Sequence, residues 1–392
     1  MNKIYLSPPH LTGEEQPYLN QAFQENWVSV VGSNIQHFER QLSGYLGVSN
    51  TVALNSGTSA IHLALKILGV GQNDVVLCQD FTFVATINPV LYQKAVPVLV
   101  DSEPETLNMC PDALKKALME CAAQGKKPKA VIAVHLYGMP AKIKQIKDVC
   151  NEFDVPLIED AAEALGSQVH QRYAGTFGDI GIFSFNGNKI ITTSSGGALV
   201  TENTEWAEKA RYLAAQAKEN LPYYQHKEIG HNYVMNNLSA GIGCGQMEAL
   251  QSRIEARRNV HARYEAGLSE LTGVTFFKEP DAYVSNRWLS TIRFDQSFNR
   301  TFPFELKESL DREGIEIRNM WKPMHLQPLC VNFKRVTTRT QMLTEELFYS
   351  GICLPSGSAL TIAEQERVIA AVKKKVHEYR DQSEKSVHYS VG

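Results

Sequence analysis

A lysine placed between two buried strands is the feature that most constrains how this chain can fold. Residues 180–185 form an apolar, β-branched and aromatic run typical of a buried strand, and residues 198–201 form another. Lys189 lies between them, among small and polar residues that favour a tight connection. Burying an ammonium costs free energy unless it is paired or used covalently, and a desolvated, neutral amine can react with an aldehyde. From this segment alone, a loop lysine that reaches solvent explains the pattern equally well.

A carboxylate and a helix start suggest the partners of such a lysine. Residues 155–159 predict a short strand that ends at Asp160, and α/β sheets bind ligands at the carboxyl ends of their strands. Residues 55–60 follow another strand and open an apolar-periodic helix, whose free N–H groups favour a phosphate. Pyridoxal phosphate requires a lysine, an acid and a phosphate-binding site. The three features together predict a site for this cofactor.

From residue 51 onward, predicted strands alternate with predicted helices. The strands cover 75–78, 96–100 and 130–136, a helical stretch begins near 83, and further helices cover 111–124, 141–152 and 204–219. This alternation predicts an α/β fold with a mainly parallel sheet between layers of helices. A charged helix over 254–267 is expected to leave the first domain. We therefore predict a large domain over residues 1–255 and a small α+β domain over 256–392, whose last dozen residues form a mobile tail.

Composition excludes several classes of protein. The formal net charge of the 392 residues is -3, so no strong positive field attracts nucleic acid or an acidic membrane. No apolar run reaches membrane-spanning length, and the first residues lack the apolar core of a signal peptide. The seven cysteines are scattered without a Cys-x-x-Cys pair, and no His, Asp or Glu spacing suggests a metal site. The expectation is a cytoplasmic protein without a metal.

Four motifs in order resemble one known family, the DegT-type sugar-nucleotide aminotransferases, which are fold-type-I pyridoxal phosphate enzymes. The motifs are Ser56-Gly57-Thr58-Ser59-Ala60, Phe81-Thr82-Phe83-Val84-Ala85-Thr86, Glu159-Asp160-Ala161-Ala162 and Phe183-Ser184-Phe185-Asn186-Gly187-Asn188-Lys189. The resemblance extends over residues 6–357. The form of residues 185–193 is most similar to the branch that aminates UDP-4-keto-6-deoxy-N-acetylhexosamines.

The resemblance implies roles for the residues that hold the cofactor. Lys189 would bind the aldehyde and then act as acid and base, and Asp160 would keep the pyridine nitrogen protonated. Gly57 and Thr58 would bind the phosphate through backbone N–H groups, with the Ser184 hydroxyl as a further donor. The alternatives are a helix N-cap for Asp160 and an ordinary strand serine for Ser184.

Three further positions are carried over from the family. Phe83 would stack on the cofactor ring, although taken alone it would more often be a core residue. Glu163 replaces the Gln or His common in the family, so its contact with the phenolic oxygen is left open. Asn232 would reach the phosphate of the neighbouring subunit, which implies a homodimer with shared active sites. The family arginine two residues later is Val234 here.

The segment 318–325 is unusual for a structural loop, because it combines fixed cations, an aromatic plane and a histidine. A UDP-sugar offers a diphosphate to the cations and flat groups to the rings. The segment resembles the family's Trp-Lys-Pro-x-His sequence, which faces the sugar nucleotide. The implied substrate-binding residues are Arg318, Trp321, Lys322 and His325.

The implied activity is transfer of an amino group from L-glutamate to C4 of a UDP-linked 4-keto-6-deoxy-N-acetylhexosamine. An aminotransferase acting at C3 of a dTDP-ketosugar is the nearest alternative. A dehydratase of the same family would carry histidine in place of Lys189, and a non-catalytic cofactor-binding regulator would not need Lys189 and Asp160 together. A nicotinamide oxidoreductase is disfavoured because residues 69–71 lack the third glycine of the dinucleotide fingerprint.

Overall fold

The structure, a computed structural model, describes the backbone of residues 2–389 and the side chains of residues 2–382. The helices are α1 Glu15–Gln24, α2 Ser33–Leu46, α3 Gly57–Ile67, α4 Asn88–Tyr92, α5 Pro111–Ala123, α6 Ile143–Glu152, α7 Thr204–Ala214, α8 Asn237–Glu248, α9 Leu250–Leu268, α10 Phe302–Arg312, α11 Leu343–Ser350 and α12 Ile362–Tyr389. The strands are β1 Asn50–Leu54, β2 Val75–Gln79, β3 Val96–Val100, β4 Ala130–Val134, β5 Leu157–Asp160, β6 Gln168–Val169, β7 Arg172–Tyr173, β8 Ile180–Ser184, β9 Gly197–Thr201, β10 Val274–Phe276, β11 Tyr283–Val284, β12 Ser290–Phe294, β13 Arg318–Asn319, β14 Arg335–Val336 and β15 Gly351–Leu354.

The main sheet has the strand order β1-β9-β8-β5-β4-β2-β3-β14. Its pairings are parallel from β8 to β14, while β9 runs antiparallel to both β1 and β8. The predicted α/β fold with a mainly parallel sheet is therefore confirmed. Because β9 returns against β8, the connection that carries Lys189 lies at the same sheet edge as the carboxyl ends of β1 and β5. This edge is where the predicted site residues can meet.

A second core lies in the C-terminal part of the chain. The sheet β10-β12-β15-β13 packs with α10 and α12 around apolar side chains such as Phe294, Phe302 and Tyr264. Ile4 from the N-terminus joins this core, and β14 pairs with β3 of the main sheet. The helix α9 continues through residue 255, so the predicted boundary stays a prediction. The helical backbone of α12 covers much of the predicted mobile tail, whose last three residues lie outside the described part of the chain.

Two predicted helices differ from the observed ones. The helix predicted over 204–219 ends at Ala214, because Gln216 and Ala217 adopt positive φ angles of 63° and 51°. The Gln216 N–H instead donates to the carbonyl of His231 at 2.9 Å. The helical stretch predicted from residue 83 is a single 3₁₀ turn, Val84–Thr86, followed by the short α4. Within residues 2–389, no helix is both long and apolar enough to span a bilayer.

A glycine allows the sheet and a helix start to meet at the site. A Cβ on Gly197, the first residue of β9, would lie only 2.3 Å from the carbonyl carbon of Ser56, which precedes α3. No side chain fits in that space, since real Cβ contacts are essentially never that short. The close approach brings the beginning of α3 against the ends of β8 and β9.

Candidate active site

The amine of Lys189 lies in a largely enclosed position after β8. Its Nζ is 3.7 Å from Oε1 of Glu163 and 4.4 Å from the ring centroid of Trp288, and its side chain is 13% exposed. A carboxylate and an aromatic face both attract a cation. The alternative of a loop lysine that reaches solvent does not describe this position.

A buried cluster holds the turn that carries the lysine. The carbonyl of Asn188 accepts hydrogen bonds from Ser7 Oγ and from Trp288 Nε1, both at 2.7 Å. Arg257 donates to the Trp288 carbonyl at 2.6 Å and to Ser7 Oγ at 3.1 Å. Burial lowers the pKa of Arg257 to about 9, with the nearby charge of Arg253 as the second cause. Sequence analysis missed these positioning residues, because they are distant in sequence and lie in no recognised motif.

Asp160 ends β5 in a buried position with two hydrogen-bond donors. Thr86 Oγ1 donates to Oδ2 at 2.8 Å, and the Ala162 N–H donates to Oδ1 at 3.2 Å. Burial raises the pKa of Asp160, while the Thr86 hydroxyl and the charge of Lys189 lower it. Residues 162 and 163 form a turn and no helix begins there, so the N-cap alternative does not apply.

Glu163 is a buried carboxyl between the lysine and Tyr137. The Tyr137 N–H donates to Oε2 of Glu163 at 2.6 Å. Burial raises the pKa of Glu163 to about 7, even though the charge of Lys189 and the bond from Tyr137 favour the ionised form. A group with this pKa can hold or release a proton near neutral pH.

The start of α3 and the end of β8 form an anion-binding arrangement. Ser56 Oγ accepts from the Ser59 N–H at 3.0 Å and caps the helix. The N–H groups of Gly57 and Thr58, in the first turn, have no partner within the helix. A Cβ on Gly57 would lie 3.1 Å from Cβ and 3.6 Å from Oγ of Ser184, so the predicted serine lies beside this helix start. With the lysine and the acid at the same sheet edge, these residues fit pyridoxal phosphate.

Asn232 lies beside the helix start of its own chain. Its side chain is exposed, and its carbonyl accepts from Asn55 Nδ2 at 3.1 Å. The Asn55 N–H donates to the carbonyl of Tyr233 at 2.8 Å. The reach of Asn232 into a neighbouring subunit stays a prediction.

Phe83 and Trp321 come together although they are far apart in sequence. Their ring centroids are 5.3 Å apart, and Phe83 is half exposed. The Trp321 ring also stacks on Tyr137, with ring centroids 6.1 Å apart and an interplanar angle of 15°, and the Trp321 backbone N–H donates to the Tyr137 hydroxyl at 2.8 Å. The expected cofactor-stacking and substrate-binding rings therefore form one aromatic wall.

The other residues of the segment 318–325 have different surroundings. Arg318 is exposed and pairs with Glu316 at 3.0 Å, and Lys322 is exposed. His325 is buried, with its N–H and Nδ1 bonded to the carboxylate of Asp80 at 2.9 and 2.7 Å. The other ring nitrogen, Nε2, is buried and has no hydrogen-bond partner among the described residues.

Buried aspartates after β2 and β3 anchor the C-terminal segment. Besides His325, Asp80 accepts from Thr344 Oγ1 at 2.6 Å. Asp101 accepts from Thr337 Oγ1 at 2.7 Å and from the Leu343 N–H, at the start of α11, at 3.0 Å. We call Asp80, Asp101 and these partners the aspartate anchor.

Comparison with known proteins assigns a family. The model of the DegT/DnrJ/EryC1/StrS aminotransferase family matches residues 9–373. EpsN of Bacillus subtilis, which carries the name of a pyridoxal phosphate-dependent aminotransferase, is 51% identical over 96% of each chain. A GDP-perosamine synthase of Caulobacter vibrioides is 36% identical over 94% of this chain and 97% of its own length.

A more distant relative and a solved structure agree. The dTDP-4-dehydro-2,3,6-trideoxy-D-glucose 4-aminotransferase of Saccharopolyspora spinosa is 30% identical over 83% of this chain and 86% of its own. The crystal structure of a family aminotransferase from Brucella abortus is 28% identical, covers 92% of this chain and 95% of its own, and has a TM-score of 0.85. The chain thus belongs to the DegT/DnrJ/EryC1/StrS family of sugar aminotransferases and is a pyridoxal phosphate-dependent aminotransferase.

Proposed function

We propose that the enzyme transfers an amino group from L-glutamate to C4 of a UDP-linked 4-keto-6-deoxy-N-acetylhexosamine in bacterial glycan or polysaccharide biosynthesis. The observation that carries the proposal is the position of Lys189. Its amine lies between Glu163 and the Trp288 ring, and its charge lowers the pKa of Asp160. An amine so placed can bind an aldehyde and then move a proton.

The buried groups would divide the proton chemistry among them. When bound, pyridoxal phosphate supplies a ring that stabilises negative charge on the carbon that loses a proton. Asp160 holds the proton at the pyridine nitrogen. Lys189 Nζ would take the proton from the α-carbon of the amino donor and return it to a second carbon, as the acid and base of a 1,3-proton shift. Glu163, with its pKa near 7, shares a hydrogen bond with the phenolic oxygen.

Binding and orientation would come from the residues around them. The N–H groups of Gly57 and Thr58 and the Ser184 hydroxyl bind the phosphate, and Phe83 contacts the ring face. Asn232 of each subunit completes the phosphate site of a partner in a homodimer with shared active sites. The cytoplasmic location expected from the cysteines is part of this proposal.

The segment 318–325 would bind the nucleotide sugar. Arg318 and Lys322 are exposed and suited to a diphosphate, and Trp321 offers a flat surface. His325 would bind the substrate through Nε2, because Nδ1 already bonds to Asp80 and Nε2 has no hydrogen-bond partner among the described residues. The resemblance of residues 185–193 to the UDP-sugar branch supports UDP and the acetamido group, and the relative named as a 4-aminotransferase supports C4.

An amination assay tests the proposal. Purified enzyme is given L-glutamate and a panel of 4-ketosugars linked to UDP, GDP or dTDP, and a dTDP-3-ketosugar. We expect 2-oxoglutarate and an amine at C4, located by NMR, with the UDP-linked acetamido sugar as the best substrate. The name of the perosamine synthase makes a GDP sugar the leading competitor. A preference for a GDP sugar would overturn the proposal that the nucleotide is UDP. Amination at C3 would overturn the proposed regiochemistry, and no conversion of glutamate would overturn L-glutamate as the amino donor.

A further inference from the structure

A cavity beside the lysine turn is lined by residues with buried polar atoms that no described residue satisfies. Asn188, Trp288, Asn319 and Trp321 line it. Asn188 immediately precedes Lys189, whose Nζ lies 4.4 Å from the Trp288 ring. The cavity is therefore next to the reacting amine and on the side of the aromatic wall.

Three lining residues from two segments, the lysine turn and residues 318–325, each carry one unsatisfied side-chain atom. Asn188 Oδ1, Asn319 Nδ2 and Trp321 Nε1 are buried, and none has a hydrogen-bond partner among the described residues. A buried polar group without a partner costs free energy, so such groups in native proteins usually meet water or a ligand. One acceptor and two donors are thus available to a ligand at this place.

Ser7 and Tyr137 also line the cavity, but the Ser7 hydroxyl already donates to the Asn188 carbonyl and the Tyr137 hydroxyl already accepts from the Trp321 backbone N–H. The rest of the lining is largely apolar. Leu6, Leu289 and Cys353 line it together with the indole of Trp288. Arg318 also lines it, but Glu316 already pairs with that guanidinium at 3.0 Å. A carboxylate fits poorly, because its oxygens would face the acceptor Asn188 Oδ1, and Arg318, the only cation among the described residues of the lining, is already paired with Glu316. A hydroxyl group has no apolar atoms that could pack against Leu6, Leu289 and Cys353.

We propose that this cavity binds the 2-acetamido group of the sugar. The acetamido N–H donates to Asn188 Oδ1, its carbonyl accepts from Asn319 and Trp321, and its methyl group contacts the apolar wall. The inference rests on the proposed function, because it takes a sugar whose C4 lies beside Lys189. It goes further by assigning the residues that distinguish an acetamido from a hydroxyl group at C2.

Binding to the holoenzyme tests the inference without turnover. UDP-N-acetylglucosamine and UDP-glucose share a nucleotide and differ at C2, and calorimetry gives the Kd of each. We expect the acetamido sugar to bind about tenfold more tightly, because UDP-glucose lacks the acetamido group and leaves the three buried polar atoms unpaired. Asn319→Leu, of similar size, should reduce that preference by about tenfold, mainly through the acetamido sugar. Asn151→Leu, at an exposed position on α6, is the matched control and should keep it.

The outcomes separate this inference from the proposed function. Asn319→Asp is the second variant, to be used if Asn319→Leu does not fold. It keeps the shape of the side chain but places an acceptor, instead of a donor, opposite the acetamido carbonyl. Equal binding of the two sugars by the wild type, or a preference that survives in the folded Asn319 variant, overturns the acetamido site. If neither UDP sugar binds, UDP is the wrong nucleotide, and the same pair of sugars linked to GDP or dTDP decides the role of the cavity.

Discussion

Asp160 and Asp80 follow parallel strands of one sheet and are both buried, yet their surroundings differ. Asp160 receives one hydroxyl from Thr86 and one N–H from Ala162, and its other titratable neighbours are Lys189, Glu163 and His135. Asp80 receives three donors, all from His325 and Thr344 in the C-terminal segment. The first carboxylate faces reactive groups, whereas the second joins two parts of the chain. A strand-end carboxylate is therefore assigned by its partners and not by its position alone.

The replacement Asp160→Asn should have the largest effect on activity. The pyridine nitrogen of the cofactor would lose its anionic partner in a buried site, so we expect turnover to fall by about two to four orders of magnitude, as for other key electrostatic contacts. The glutamate half-reaction, followed by the cofactor's absorbance, measures the loss. The unfolding free energy of the apoenzyme should not fall, because burial already disfavours the charge of Asp160. A near-normal half-reaction would remove the distinction between the two aspartates.

Subunit exchange tests whether the Asp160 side of the sheet is completed by a second chain. Lys189→Ala and a disruptive replacement of Asn232, such as Asn232→Trp, should each be inactive. Random mixing should restore about one quarter of wild-type activity, because each mixed dimer keeps one intact site. Exchange of subunits without recovery would mean that Asn232 serves its own chain, beside Asn55. An active monomer would exclude shared sites.

Neutralising Asp80, one carboxylate of the aspartate anchor, should lower the stability of the protein more than its activity. Asp80→Asn weakens buried bonds to His325 and Thr344, and we expect the free energy of unfolding to fall by about 1–3 kcal/mol, measured with urea. Thr344→Val removes one of these donors and should lose less. The glutamate half-reaction of the folded Asp80 variant should stay within about tenfold of the wild type, because no cofactor group contacts this carboxylate in the proposal. A loss as large as that of Asp160→Asn would contradict the comparison.

Glu163 should make apoenzyme stability depend on pH. Because burial raises the pKa of Glu163 to about 7, the folded state holds a proton that the unfolded state releases between about pH 4.5 and 7. The contribution to stability is present at low pH and is lost as the pH rises through this window, by at most about 1.4 kcal/mol per unit. Glu163→Gln should flatten this part of the dependence in urea unfolding measured from pH 5 to 8. An unchanged slope would show that Glu163 is not the group that titrates.

The sequence was sufficient where local pattern determines structure. The alternation of strands and helices predicted the parallel sheet, and the motifs around Gly57, Asp160 and Lys189 predicted three groups that meet at one edge. It was insufficient where contacts join distant segments. The motif around His325 gives no sign that its Nδ1 bonds to Asp80, 245 residues away. The same holds for Arg257 and Trp288, which hold the lysine turn through bonds that no local pattern encodes.

The central claim is that Lys189 carries the cofactor, and borohydride labelling tests it most directly. Reduction of the yellow holoenzyme makes the link between lysine and cofactor permanent, and mass spectrometry of the digested protein locates it. The account predicts one pyridoxyl group per chain, on the peptide that contains Lys189, and none in Lys189→Ala. A pyridoxyl group on another lysine, or an equal yield from Lys189→Ala, would contradict the account.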